Sequence, residues 1–409
     1  MKSKILIASG SRHTIPPLNN SPGVAHIIYC LAKSFDKSQD QIKVISKYHQ
    51  KLEEEYYDKD IFLHPYISAG RKVFFENFEK LPFSYRIFKK KYGFTQVDRI
   101  LYYTSLVKLA KQQQPDVVVT FMHFQLFTML KKALPSAKHI YFFRSTDLKY
   151  RLGEKNIKFL LNNANGFLAN TKAPIDELQQ YKNVKFPCKT IYNAVLQSDI
   201  SKTQLKSTRD QMRLKYDISE NAMVLGFAGR FSEEKSLLEL FKCVANYNEK
   251  QHTKPIHLVL AGDIGYEKMP NYDYFRKLKK IEQQSLEGQV HWMGWLPQKK
   301  LYQFYATIDY GLVLSKKSEG NSMFLLECLN YGKPVIATSI GGNKEVIKTN
   351  YNGYLIKAVG IEKQLDEILN FITIDENYKK LSRQAKNYVT EYHSVSKMIH
   401  KFHAFLENI

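Results

Sequence analysis

SEGNSMFLLECLNYGKPVIATSIGG (318–342) is the stretch whose reading decides the fold. A short apolar run, YGLVLS (310–315), leads into it and reads as a buried strand. Glu319 follows that strand. Gly320, Asn321 and Ser322 then open a helix, continued by Met323, in which Glu327 sits about one and a half turns in. PVIATS (334–339) reads as the next buried strand. Strand, helix and strand in this order predict parallel α/β layering.

The same alternation extends outward on both sides. Upstream lie MVLGFAG (223–229), HLVLAG (257–262) and QVHWMG (289–294). Earlier still come KILIAS (4–9), IKVIS (42–46), DVVVTFM (116–122), HIYFF (139–143) and GFLAN (166–170), with helical patterns between them. After TIYNAV (190–195) the chain turns polar and charged through 197–221, which predicts a domain boundary there. The expectation is two Rossmann-like domains: 1–195 with a returning C-terminal helix (388–409), and 196–387.

The start of a helix offers free backbone N–H groups and a partial positive charge, so the Gly320–Met323 turn suits a phosphate. A carboxylate on either side of a bound diphosphate can accept hydrogen bonds from sugar hydroxyls. A nucleotide sugar is built in that order: sugar, diphosphate, ribose. The alternative reading is a helix cap and a surface glutamate. A second segment, GFAGRFSEEKSLLELF (226–241), places Arg230 and Lys235 after Gly229, at the expected start of a helix. Two cations there can neutralise a diphosphate leaving group in place of a metal ion. The alternative is a solvated helix start with Lys235 paired to Glu234 or Glu239.

Taken together, the two segments resemble the GT-B-fold retaining glycosyltransferases of family 4 (glycosyl transferases group 1). The E-x7-E motif of that family matches Glu319 and Glu327, and its G-R-x4-K signature matches Gly229, Arg230 and Lys235. The resemblance covers nearly the whole chain. It implies an α/β, GT-B fold of two Rossmann-like domains facing across a cleft. It also implies that Glu319 holds donor-sugar hydroxyls, Glu327 the ribose, and Arg230 with Lys235 the diphosphate. MGWLP (293–297) resembles the nucleobase-contacting loop and brings in Trp295 and Leu296. The N-terminal half matches less closely. SPGVAHIIYCLAKSF (21–35) resembles the Gly-Gly loop and first helix, with Pro22 replacing one glycine and Gly23 kept. Where many relatives carry a reaction-centre histidine, this chain reads YFFRSTD, so Arg144 stands there, and His123 is the other candidate. For His123 a half-buried loop residue, and for Arg144 a surface pair with Asp147, are the structural alternatives.

Composition sets the remaining limits. Among 409 residues the net charge is +22, which favours an anionic partner. Nucleic acid fits the charge, but no recognition motif accompanies it. Residues 71–111 carry ten Lys and Arg against three acidic residues, interleaved with aromatics; Arg86, Lys89, Lys90 and Lys91 are at their centre. That pattern suits either an anionic membrane surface or a polyanionic acceptor. The N-terminal apolar run is too short for a signal peptide, and no stretch approaches a membrane span of about 18 residues. A peripheral enzyme on the inner face of the cell membrane is therefore expected, with a glycan, lipid-linked or polyanionic polymer acceptor and a nucleotide-sugar donor, which the resemblance implies is a UDP-sugar because uracil is the commoner base among relatives. Cys30, Cys188, Cys243 and Cys328 lack paired spacing and read as reduced and buried. Asp58 and Asp60 form a D-x-D within an acidic run that reads as a solvated face, and His400 with His403 lacks a third ligand. No metal or other cofactor is therefore expected. The rival class is a catalytically degenerate relative that binds glycan as an accessory protein. It is supported by Pro22, Arg144 and the atypical Asn321-Ser322 pair.

Overall fold

The computed structural model describes the chain except residues 1–2, 11–13, 16, 18–22, 36–40, 49–57, 82–83, 85–86, 89–95, 197–199, 251, 253, 264–271 and 375–376. The chain divides into two compact units, Met1–Ile191 with Ile399–Ile409, and Tyr192–Met398.

The first unit holds a seven-stranded sheet: β1 (Lys4–Ser9), β2 (Gln41–Ile45), β3 (Phe62–Leu63), β4 (Val117–Phe121), β5 (Lys138–Phe143), β6 (Gly166–Ala169) and β7 (Cys188–Thr190). Its order is β3-β2-β1-β4-β5-β6-β7, and every pairing is parallel. Strands covered on both faces must be apolar at successive positions, which is why VVVTF and HIYFF do not alternate with polar residues. On one face Leu6, Ile45 and Val118 pack against the Val97–Gln113 helix and, further across the same face, Tyr141, Phe143 and Phe167 pack against the Glu154–Asn163 helix.

The second unit is built alike from β8 (Met223–Arg230), β9 (Ile256–Asp263), β10 (Val290–Gly294), β11 (Tyr310–Val313), β12 (Val335–Thr338) and β13 (Gly353–Ile356). Its order, β10-β9-β8-β11-β12-β13, is again wholly parallel. Two wholly parallel α/β sheets, one in each unit, are the two Rossmann-like domains expected of a GT-B fold. Within this unit, Asp309 joins three elements. It pairs with Arg209 at 2.7 Å and Arg213 at 2.8 Å, both on the Lys202–Lys215 helix, and accepts the Val224 N–H of β8 at 2.8 Å. Buried charges persist only when paired and hydrogen-bonded in this way.

The C-terminal helical pattern breaks in two, at His393, between helices Tyr378–Tyr392 and Val395–Glu407. The His393 ring is buried on the Asn193 carbonyl at 3.1 Å, so the second unit holds the joint, and the first takes up the chain at Ile399. There the His403 ring lies tilted against Phe35 with ring centres 4.3 Å apart and meets the Ser34 hydroxyl, while His400 is exposed. Among the described residues, no helix is long and apolar enough to cross a membrane.

Candidate functional site

Strand β8 ends in Gly229 and Arg230, paired with Gly262 and Asp263 of β9. A Cβ on Gly262 would stand 2.0 Å from the Gly229 carbonyl oxygen, and Gly262 takes φ 127°. Only glycine permits so close a backbone approach. Arg230 is exposed on this strand end. A 3-10 turn over Glu233–Lys235 and a left-handed Ser236 (φ 52°) follow before the Leu237–Glu249 helix. Arg230 and Lys235, expected together at a helix start, thus stand on a strand end and a tight turn.

The turn is tied to the chain after β11. The Lys316 N–H donates to the Glu234 carbonyl at 2.9 Å, and the Lys316 ammonium pairs with Glu239 at 2.6 Å. Glu239 is thereby committed to Lys316. Lys235 instead reaches Glu319 Oε2 at 2.6 Å and Ser315 Oγ at 2.9 Å, and the Ser315 hydroxyl donates to the same Glu319 oxygen at 2.5 Å. Both charged side chains keep partial exposure, 24% and 16%. The Glu319 carbonyl accepts the Gly342 N–H, which fixes the loop that presents it.

Gly320 leads to Asn321, which is only 4% exposed. The Asn321 Oδ1 accepts the Asn193 N–H at 2.7 Å, and its carbonyl accepts from Asn193 Nδ2 at 2.5 Å. Those bonds use the side-chain oxygen and the backbone carbonyl, and Asn321 Nδ2 has no partner among the described residues. Ser322 caps the Met323–Asn330 helix by accepting the Leu325 N–H. Glu327, five residues into this helix, is half-buried and accepts the Tyr305 hydroxyl at 2.5 Å. Burial pushes its carboxyl up to about 7, against the opposing effect of the Tyr305 bond. Trp295 follows a register shift in β10 and Gly294 at φ 65°; it is 59% exposed, while Leu296 packs partly on the core.

The remaining candidates belong to the first unit. Gly23 opens the Gly23–Lys33 helix. His123 follows Met122, whose φ of 66° is unusual for a side chain of that size. Its ring lies against the Gly10 backbone, where a Cβ would stand 2.5 Å away, and burial followed by the charge of Arg99 pushes it down to about 4. It is therefore neutral at pH 7. Arg144 lies over the Phe142 ring at 5.5 Å, and burial lowers it to about 10, while the neighbouring Asp147 accepts the Thr146 hydroxyl. Arg86, Lys89, Lys90 and Lys91 lie outside the described residues. Asp58 closes a turn by accepting the Asp60 N–H at 3.0 Å. Cys243 and Cys328 are buried, but Cys30 and Cys188 are only half-buried, and all four are free thiols.

Three contributors escape the sequence reading: Ser315, Asn193 and Tyr305. Ser315 closes the run YGLVLS and looks like its last core residue, and Tyr305 reads as one aromatic in an apolar helix. Nothing local marks either.

Residues 208–388 match the family described as Glycosyl transferases group 1. The lipopolysaccharide 1,2-N-acetylglucosaminetransferase of Salmonella typhimurium is 21% identical over 327 residues, covering 79% of this chain and 81% of that one. The N-acetyl-alpha-D-glucosaminyl L-malate synthase of Bacillus anthracis is 23% identical, over 60% of each chain. Among solved structures, Anabaena Alr3699/HepE in complex with UDP superposes with a TM-score of 0.72 at 17% identity over the full length of both chains, a likeness of fold. Residues 208–388, which carry Arg230, Lys235, Glu319 and Glu327, therefore form a glycosyl transferases group 1 domain.

Proposed function

We propose that this chain is a retaining, metal-independent glycosyltransferase that takes a sugar from a UDP-sugar and passes it to a cell-envelope glycan, glycolipid or wall polymer. The observation that carries the reading is the junction of Lys235, Ser315 and Glu319, with the first and last 84 positions apart in sequence. A fixed cation beside a fixed carboxylate matches the boundary between a leaving diphosphate and a sugar ring.

In this reading Lys235 and Arg230 take the diphosphate, assisted by the Met323–Asn330 helix start and the Asn321 amide. Glu319 accepts from sugar hydroxyls, Glu327 from the ribose, and Trp295 with Leu296 lies along the base. The acceptor oxygen forms its bond to the anomeric carbon on the face from which the phosphate oxygen departs. The acceptor proton goes to that phosphate oxygen, so no protein nucleophile is required. His123 and Arg144 are the first unit's candidates for the reaction centre, and Gly23 is its candidate for backbone approach to the donor phosphate or sugar.

The UDP assignment draws on the nucleotide bound in the Anabaena neighbour, and the envelope acceptor on the name of the Salmonella relative. Attachment to an anionic inner membrane face draws on the basic 71–111 segment, where Val73 and Phe74 expose 54% and 63% of their surface.

Thermal unfolding against a panel of nucleotides and nucleotide sugars tests the donor. UDP or a UDP-sugar at about 100 times its Kd should add roughly 2.7 kcal/mol of stability. Stabilisation without any sugar transfer or hydrolysis would favour the non-catalytic reading, and no response to any nucleotide would overturn the donor site.

A further inference from the structure

We propose that Tyr305 is a positioning residue of the donor site, holding the Glu327 carboxylate in the orientation from which it accepts a ribose hydroxyl. The inference rests on the reading of Glu327 as the ribose contact. Tyr305 lies in the Leu301–Thr307 helix and is 2% exposed. Its ring stacks on Tyr331 with centres 4.7 Å apart and planes 12° from parallel. Phe324 lies 6.3 Å away and Phe304 meets it edge-on at 5.3 Å. A ring packed on three sides cannot change rotamer without opening the core, so its hydroxyl is a fixed point.

That hydroxyl donates to Glu327 Oε2 over 2.5 Å. Among the described residues, Glu327 Oε1 accepts no hydrogen bond from a side chain or backbone group, which divides the carboxylate into an anchored oxygen and an available one. A glutamate has three side-chain torsions, and restricting them before the ligand arrives removes an ordering cost from binding. A phenol bond to a carboxylate is also charge-assisted, and here it opposes the burial that lifts Glu327 to about 7. Tyr305 therefore both directs the group and keeps more of it ionised. The other titratable groups in this neighbourhood are Cys328 on the same helix, Lys333 just beyond it, and Tyr331. The Tyr378–Tyr392 helix adds Tyr388, whose hydroxyl is engaged with the Glu345 carbonyl.

The test is UDP binding by titration calorimetry from about pH 5.5 to about pH 9, on the full chain, for wild type, Tyr305→Phe and Glu327→Gln. Melting curves accompany each variant. Glu327→Gln should bind UDP more weakly and retain only the pH dependence of the nucleotide's own phosphate. Tyr305→Phe keeps the ring stack and should weaken binding about tenfold at pH 7. Its acid limb should move to higher pH, because the lost bond is the one that lowers the Glu327 pKa. Affinity should then recover toward the alkaline end. Tyr305→Phe with an unmoved acid limb overturns the proposal, whether affinity is unchanged or is lower by the same factor at every pH, since ring packing alone would explain the latter. Glu327→Gln binding UDP as tightly as wild type would overturn the ribose assignment and the positioning role with it.

Discussion

Lys235 Nζ stands 2.6 Å from Glu319 Oε2, with the Ser315 hydroxyl bonded to the same oxygen. This contact joins the 3-10 turn after β8 to the loop after β11, and it brings together a cation and a carboxylate assigned to adjacent parts of one donor. Because both groups are partly exposed, the pair itself adds little stability. Lys235→Ala should therefore melt within a few degrees of wild type while turnover falls about 10²-fold or more. Steady-state rates at saturating donor check this. A variant that transferred sugar at the wild-type rate would remove Lys235 from the site.

Glu327 makes a prediction about stability. Its folded pKa, about 7, lies above its ordinary value of 4.5, so the native state binds the proton more tightly than the unfolded chain. The sign follows: this group weakens the fold as pH rises through the window from about 4.5 to about 7. Glu327→Gln mimics the protonated form. It should gain roughly 1–2 kcal/mol over wild type at pH 8 and show little difference at pH 4, as measured by chemical unfolding at the two pH values. An equal difference at both would contradict the burial argument.

Chelation addresses how the leaving charge is met. Arg230, Lys235 and a helix start supply positive potential without a divalent ion, and Asp58 is occupied in closing a turn. Sugar transfer is expected to survive excess EDTA. Complete loss on chelation, restored by added Mn²⁺ or Mg²⁺, would contradict the proposed chemistry.

The basic, aromatic segment gives a flotation experiment. Each Lys or Arg near an acidic bilayer is worth about 1 kcal/mol, so the wild type should float with anionic and not with neutral vesicles. Changing Lys89, Lys90 and Lys91 together to Glu should leave the protein at the bottom. Changing the exposed Val73 and Phe74 to Ser should weaken flotation without altering the core, since neither is buried. Identical behaviour of all three proteins on anionic vesicles would end the membrane role of this segment.

Sequence by itself determined the layering and the location of the donor candidates. Uninterrupted apolar runs such as VVVTF can be satisfied only by a strand covered on both faces, and Gly-Asn-Ser before FLLECL can only start a helix. Those are local constraints, and a linear reading detects them. Which side chains meet was decided by the tertiary structure. The local reading of Lys235 offered Glu234 or Glu239 as partners; parallel crossovers between β8 and β11 instead set it on Glu319 and gave Glu239 to Lys316. Ser315, Asn193 and Tyr305 entered the site in the same way, each through a partner remote in sequence or on another helix. A hydrogen bond is a property of two atoms in space, and burial such as that around Glu327 is a property of everything packed against it. Neither is encoded in a spacing along the chain.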